Sequence, residues 1–312
     1  MSFSSQVRNE IARIYPDKRC CRKAELSAIL VTEGLIQPEN NEGGYWVDIA
    51  VNNAAVARKV YRMLKEDYSL YATVDSQYHR TFRPKRVYRI TVFLTPNQLS
   101  LMQGIVALDK HDRIKPQVNW RILRKTCCKR AYLRGIFLNR GFINQPEGSY
   151  HLEIVLNDGQ MVSDVTRLLN RLNLKSGWVE RKRNQVIYIK ESEKIADLLR
   201  IIEANKALLD FENIRIIKSM RNTINRQVNC ETANLAKTVD ASVRQVETIR
   251  TLRSLNLWEE LSPELKELAE LRLNYPDYSL KELGMVLNPP LSKSGVAYRM
   301  GKLERLAKSF TK

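Results

Sequence analysis

The residues of this chain best equipped for chemistry come in pairs. Cys20-Cys21 and Cys127-Cys128 are vicinal, and Cys230 stands alone. Each pair reads as the start of a helix and is followed by two cations, Arg22 and Lys23 in one case, Lys129 and Arg130 in the other. A helix N-terminus and adjacent positive charge both lower a thiol pKa, so these positions could hold reactive thiolates. The two pairs could in principle supply the four sulfurs of a zinc shell. Against this, no Cys-x-x-Cys spacing occurs and the chain has only three histidines. The expectation is that the cysteines are small buried hydrophobes, with no bound metal and no cofactor. An odd cysteine count without a secretion signal also argues against a disulfide framework.

The second available chemistry is contact with phosphate. Fifty-two Lys/Arg face 34 Asp/Glu, a formal net charge of +18, with a pI near 9.7. Such a balance points to a polyanionic partner, most often nucleic acid. The excess is uneven: +15 lies before Ile224 and only +3 from there to the end. Two basic clusters interrupt the first region, one containing Arg83, Lys85 and Arg86, the other Arg181, Lys182 and Arg183. Each falls between two probable strands, so each reads as a hairpin tip able to reach a phosphate backbone. No apolar run approaches a membrane span. Met1 to Glu10 is polar, without a signal-peptide core. The chain is expected to be cytoplasmic and nucleoid-associated, with no membrane partner.

The elements that must position these residues are duplicated. Cys20 to Ile36 aligns with Cys127 to Ile143 at an offset of 107 residues, and seven of the seventeen positions are identical. Each copy reads as an apolar helix with a glycine, Gly34 or Gly141, as a positive-φ C-cap. Ala28 and Gly135 put small side chains mid-helix, where another backbone can approach closely. Paired packing across a pseudo-twofold axis follows. The strand Tyr45 to Val51 in the first copy corresponds to Tyr150 to Leu156 in the second. Helix caps follow at Asn52-Asn53 and Asn157-Asp158, then strands at Tyr71 to Asp75, Arg86 to Leu94, Trp178 to Arg181 and Val186 to Lys190. Ser4 or Ser5 is expected to cap a first helix. Asn205 to Arg221 and Asn229 to Arg250 read as two successive helical stretches.

The end of the chain has a different character. Ser279-Leu280-Lys281-Glu282 has capping-box form and opens a short helix. Asn288-Pro289-Pro290 breaks it, and Ser292 or Ser294 caps a last helix running to about Lys308. At 100° per residue Val296, Met300, Leu303 and Ala307 make one buried stripe. From Leu291 onward there are six Lys/Arg and one acid, whereas Trp258 to Pro290 has seven acids and three bases. A basic last helix on an acidic support is the polarity of a helix-turn-helix. Its candidate DNA contacts are Lys293, Ser294, Tyr298, Arg299, Lys302 and Arg305. Gly301 costs the helix roughly 1 kcal/mol against alanine, which suits a surface approached by a sugar-phosphate backbone.

The run from Tyr132 to Gly141 (YLRGIFLNRG) resembles the signature of the LAGLIDADG homing endonucleases. With Val228 to Asn234 (VNCETAN) and Leu291 to Val296 (LSKSGV), the chain resembles, over essentially its whole length, the WhiA family of bacterial regulators. The resemblance implies an α+β fold: a duplicated LAGLIDADG-like αββαββα domain with pseudo-twofold symmetry, then an all-α helix-turn-helix domain. The corresponding boundaries are 1–204 for the duplicated domain (repeats about 1–105 and 106–204), 205–226 for a helical linker and 227–312 for the DNA-binding domain. LAGLIDADG nucleases carry a metal-binding acid just before the terminal glycine of each signature helix. Those positions are Glu33 and Arg140 here, an acid and a cation. Two-metal phosphodiester cleavage needs carboxylates from both sides, so no catalytic residues and no enzyme activity are expected.

The resemblance further implies transcription regulation in cell division and chromosome segregation, or in sporulation where the host sporulates. Double-stranded DNA is the expected partner, with other transcription or division proteins as candidate partners of the N-terminal domain. The rivals are an active homing endonuclease and a nucleoid-architectural or RNA-binding protein.

Overall fold

The computed structural model describes residues 2–39, 43–79, 85–181 and 184–310. They form two compact units, Met1–Lys218 and Ser219–Lys312. After α1 (Phe3–Ala12), the first unit runs through α2 (Arg19–Glu33), β1 (Gly34–Pro38), β2 (Tyr45–Val51), α3 (Ala54–Tyr68), β3 (Ala72–His79), β4 (Lys85–Leu94) and α4 (Pro96–Ile105). It then repeats that order with α5 (Thr126–Arg140), β5 (Gly141–Ile143), β6 (Leu152–Leu156), α6 (Gly159–Asn170), β7 (Gly177–Arg181), β8 (Asn184–Ile189) and α7 (Ser192–Ile201). Each repeat is αββαββα. Each carries a four-stranded antiparallel sheet, ordered β1-β2-β4-β3 in the first and β5-β6-β8-β7 in the second. The central pairs are equivalent, Ile49 opposite Ile90 and Ile154 opposite Ile187.

Alternation along the strands explains which face is covered. Val47, Ile49 and Val51 are buried, as are Leu152, Ile154 and Leu156, and their neighbours along each strand point the other way. The signature helices α2 and α5 fill the centre. Leu26, Ile29 and Leu30 of one and Leu133, Ile136 and Phe137 of the other join a single core. Their backbones nearly touch at Gly135, where an added Cβ would stand 2.6 Å from the Glu25 carbonyl oxygen and 2.7 Å from Ala28 Cβ. The repeats are also stitched by Ser4 of α1. Its hydroxyl donates to the Ile143 carbonyl and accepts from the Ile143 N–H, both at 2.7 Å.

Several local expectations are corrected. Gly34 and Gly141 have φ of −86° and −82°, so neither is a left-handed cap. Each starts a strand, and glycine is needed there because a Cβ would meet the Leu30 carbonyl or the Phe137 ring. The cap of α1 is Ser2, because Ser4 and Ser5 already lie within the helix. Asn53, not Asn52, caps α3, accepting from Ala55 N–H at 2.8 Å. Asp158 does the same for α6, accepting from Gln160 N–H at 2.9 Å. The two helical stretches expected after Asn205 are one helix, α8 (Asn205–Ser254), and the boundary between the compact units falls inside it.

The second unit adds α9 (Pro263–Asn274), α10 (Leu280–Val286) and α11 (Lys293–Phe310). Ile249 and Leu252 of α8 share its core with Leu268, Leu283, Val296, Met300 and Leu303. Buried Arg272 ties the 275–278 turn to α9, donating to the Tyr278 carbonyl at 2.6 Å and the Pro276 carbonyl at 3.2 Å.

Candidate nucleic-acid interface

The α10–turn–α11 segment builds a surface from a buried stripe outward. Ser279 caps α10 while Glu282 returns to the Ser279 N–H at 2.7 Å. The turn then closes back on the helix, with Leu291 N–H donating to the Gly284 carbonyl at 2.8 Å. A side chain at 284 would meet the Leu291 carbonyl, so glycine is what lets this longer turn fold tightly. Ser292 caps α11 through Gly295 N–H at 3.3 Å. Val296, Met300, Leu303 and Ala307 are buried, which leaves Lys293, Ser294, Tyr298, Lys302 and Arg305 exposed on other faces. Lys302 Nζ lies 4.9 Å from the Tyr298 ring centroid, a cation–π contact that holds charge over the aromatic face. Among the described residues, nothing beyond the chain neighbours and the backbone of α11 itself lies within 4 Å of where a Gly301 side chain would start. Arg299 differs from the rest of the set: it is half-buried, and its Nη2 lies 3.1 Å from Glu264 on α9. That pairing makes Arg299 a brace between helices before any DNA arrives.

The hairpin ends of the duplicated domain are more mixed. Arg86 is exposed near the start of β4, opposite Tyr78, and Lys85 opens that strand. Arg181 ends β7 and is held by Glu153 at 2.7 Å, which offsets its charge. His151 approaches the same Glu153 oxygen at 2.8 Å. Arg83, Lys182 and Arg183 lie outside the described residues.

At the C-terminal ends of α2 and α5, Arg140 Nε stands 2.8 Å from Glu33 Oε1. Arg140 Nη2 also donates to the Thr32 carbonyl at 2.5 Å. A guanidinium bound by a carboxylate and a carbonyl fills the place where two acids would gather a divalent ion.

Comparison with known proteins agrees with this architecture in all three of its parts. Family models match at residues 19–106 (WhiA N-terminal LAGLIDADG-like domain), 129–221 (WhiA LAGLIDADG-like domain) and 224–307 (WhiA C-terminal helix-turn-helix domain). A protein of Syntrophomonas wolfei named probable cell division protein WhiA is 53% identical, with 99% of this chain and 98% of that one covered. The chain belongs to the WhiA family. A Heliobacterium modesticaldum protein of the same name is 43% identical over 100% of this chain and 98% of its own. In fold, the chain is similar to the crystal structure of full-length WhiA from Thermotoga maritima, with a TM-score of 0.59 at 22% identity and 99% of each chain covered.

Two constellations stand out within this WhiA-family domain, the first unforeseen in the sequence and the second set aside there. One is a buried ionic network between the repeats. Glu25 of α2, fully buried, pairs with Lys59 of α3 and accepts from Arg134 Nε of α5 at 3.0 Å. Lys59 also donates to the Ile11 carbonyl at 2.9 Å, and Arg134 reaches Glu203 at 2.8 Å. Burial pushes the Lys59 pKa below the ordinary lysine value, against the pull of Glu25. The signal available was a polar residue inside each apolar signature helix, Glu25 in one and Arg134 in the other.

The second constellation is the cysteines. Cys20, Cys21, Cys127 and Cys128 bring all four sulfurs within 4.8 Å of one another, so the reading of them as separate small hydrophobes is too modest. Burial raises the pKa of Cys128 to about 12 and pushes that of Cys21 up as well. Burial also opposes ionisation of Cys127, but hydrogen bonds from Cys21, Cys128 and Cys20 outweigh it and lower its pKa.

Proposed function

We propose that the chain is a DNA-binding transcriptional regulator acting in cell division and chromosome segregation, and in sporulation where its host forms spores. The observation that carries this reading is α11. One face is locked into a helix-turn-helix core, and the other presents Ser294, Tyr298, Lys302 and Arg305 around an unobstructed Gly301. Lys302 and Arg305 contact phosphate, while Ser294 and Tyr298 lie nearer the bases. The names of the relatives support the part in cell division; chromosome segregation and sporulation rest on the family resemblance. The duplicated domain, which holds most of the positive charge, adds affinity through phosphate contacts or binds a protein partner. It does not cut DNA, a reading supported by the Glu33–Arg140 pair.

Replacing Lys302 with alanine tests the interface. Binding to all sequences should weaken about equally, and the dependence of log K on log salt should fall by roughly one unit. Unchanged affinity and slope in a folded variant would remove α11 from the interface. Incubation of the protein with its bound DNA and magnesium or manganese tests the second claim. Specific double-strand cuts that vanish in Glu33→Gln would identify a homing endonuclease instead.

A further inference from the structure

We propose that Cys20, Cys21, Cys127 and Cys128 bind one zinc ion, a tetrathiolate site at the N-terminal ends of the paired signature helices that clasps the two repeats together. The geometry carries the assignment. Both pairs occupy the first turn of their helix, and α2 and α5 run in the same direction, so first turn meets first turn. A tetrahedron with Zn–S bonds of about 2.3 Å has sulfur–sulfur edges of about 3.8 Å. The four sulfurs here, all within 4.8 Å of one another, need only small side-chain adjustments to reach it. An iron–sulfur cubane is a poorer match. There each thiolate binds a different iron, and the sulfurs stand farther apart than around a single ion.

The surroundings suit a dianionic Zn(S)4 centre. Both pairs lie in the first turn of a helix, the end at which the helix dipole favours negative charge. A cleft of about 310 Å³ reaches Cys21 and Cys127, lined by Lys18, Arg130 and Arg134 together with Asp17 and Glu203, and gives an ion a path in. Arg130 and Arg134 are themselves paired with Glu203, which leaves Lys18 as the cleft's cation nearest the sulfurs' own turn. This position is at the opposite end of the helices from Glu33 and Arg140. Binding would release the thiol protons as Zn–S bonds form, with no redox partner required. The site has no open coordination position, so its role is structural.

The test uses the full chain, purified anaerobically with a thiol reductant and grown with zinc. Elemental analysis should find one zinc per chain. Cys21→Ser/Cys127→Ser should lose it, while Cys230→Ser, whose sulfur is exposed and elsewhere in the chain, should keep it. Should the double variant fail to fold, the wild-type chain still decides. After zinc is removed it should take up one equivalent of cobalt(II), with the intense sulfur-to-metal charge transfer and tetrahedral d–d bands of four thiolates, and zinc should displace the cobalt. Metal-free protein with five titratable thiols and no cobalt uptake would overturn the proposal. So would Cys20–Cys128 and Cys21–Cys127 disulfides in the anaerobic protein, iron in place of zinc, or full zinc content in the folded double variant.

Discussion

The buried network at Glu25 allows a demanding test of how the repeats are held. Glu25 is completely buried, and its partners Lys59 and Arg134 retain only 2% and 3% of their side-chain exposure. Arg134 has a second anion in Glu203, which is 42% exposed, but among the described residues the other hydrogen-bond partner of Lys59 is the neutral Ile11 carbonyl. Glu25→Gln keeps the shape and removes the charge. Lys59 then becomes an uncompensated buried cation, and breaking such a pair from one side costs about 3–5 kcal/mol. Lys59→Met should cost less, because Glu25 keeps Arg134. Replacing all three by apolar residues of similar volume should recover most of the loss, since whole buried ion sets exchange for hydrophobes at little or no cost. The chain has two compact units, so a global unfolding curve would mix them. Of its four tryptophans only Trp258 lies in the second unit, so fluorescence in a Trp258→Phe background reports the first unit alone. With a urea m-value of about 2 kcal/mol/M, Glu25→Gln should lower the midpoint by about 2 M. A loss under about 1 kcal/mol would fit a solvated pair and refute the reasoning.

Gly301→Ala meets nothing among the described residues beyond its own helix, so it should stabilise α11 by up to about 1 kcal/mol while weakening DNA binding; a raised Tm with unchanged affinity would move the DNA backbone away from Gly301. Tyr132 is fully buried, with no partner for its hydroxyl among the described residues. Tyr132→Phe should therefore cost nothing and gain up to about 1 kcal/mol, and a clear loss in urea unfolding would mean the hydroxyl is bonded. Hydrogen bonds from the Ser279 backbone and side chain hold the Glu282 carboxyl below the usual glutamate range. A lowered folded pKa gives a stabilisation that is complete above the ordinary value and lost as pH falls through the lowered one. The stability difference between wild type and Glu282→Gln should accordingly shrink in acid, and a pH-independent difference would exclude the cap as its source.

What could be read in the sequence was local or repeated. The duplicated helix, the central strands and the Ser279–Glu282 cap all lie within windows of a few residues, and seeing them twice strengthened each reading. The short strands β1 and β5 follow directly on the signature helices, with too few residues for alternation to register. The continuity of α8 is legible in principle, since Asn205 to Ser254 contains no glycine or proline. Long-range groupings were beyond reach. Glu25, Lys59 and Arg134 sit on three helices and Glu203 in the turn after α7, and only the packing of these pieces against one another decides that they meet. The bracing of Arg299 by Glu264 escaped for the same reason, since helical periodicity gives the direction of a side chain without naming its neighbour.

Duplication about an axis explains why some equivalent positions diverged while others did not. A residue near the axis meets its own counterpart, so its chemistry is presented twice at one place. Two carboxylates 4 Å apart repel by about 4 kcal/mol at an effective dielectric of 20, a cost tolerable only with a metal between them. At the C-terminal ends the counterparts are Glu33 and Arg140, and reversal of one sign turns the repulsion into attraction and removes the need for an ion. Midway along the helices Glu25 aligns with Tyr132, and Arg134 with Ser27. The charges there complement across the axis without being copied. Only at the N-terminal ends is a polar pair duplicated unchanged, Cys-Cys against Cys-Cys. Neutral thiols can be repeated at an axis without electrostatic cost, and four of them gathered there make a metal site that no single repeat could supply. The conserved and the altered ends of the helix pair thus follow from one rule, that identical neighbours are kept where their meeting is harmless or useful and replaced where it is repulsive.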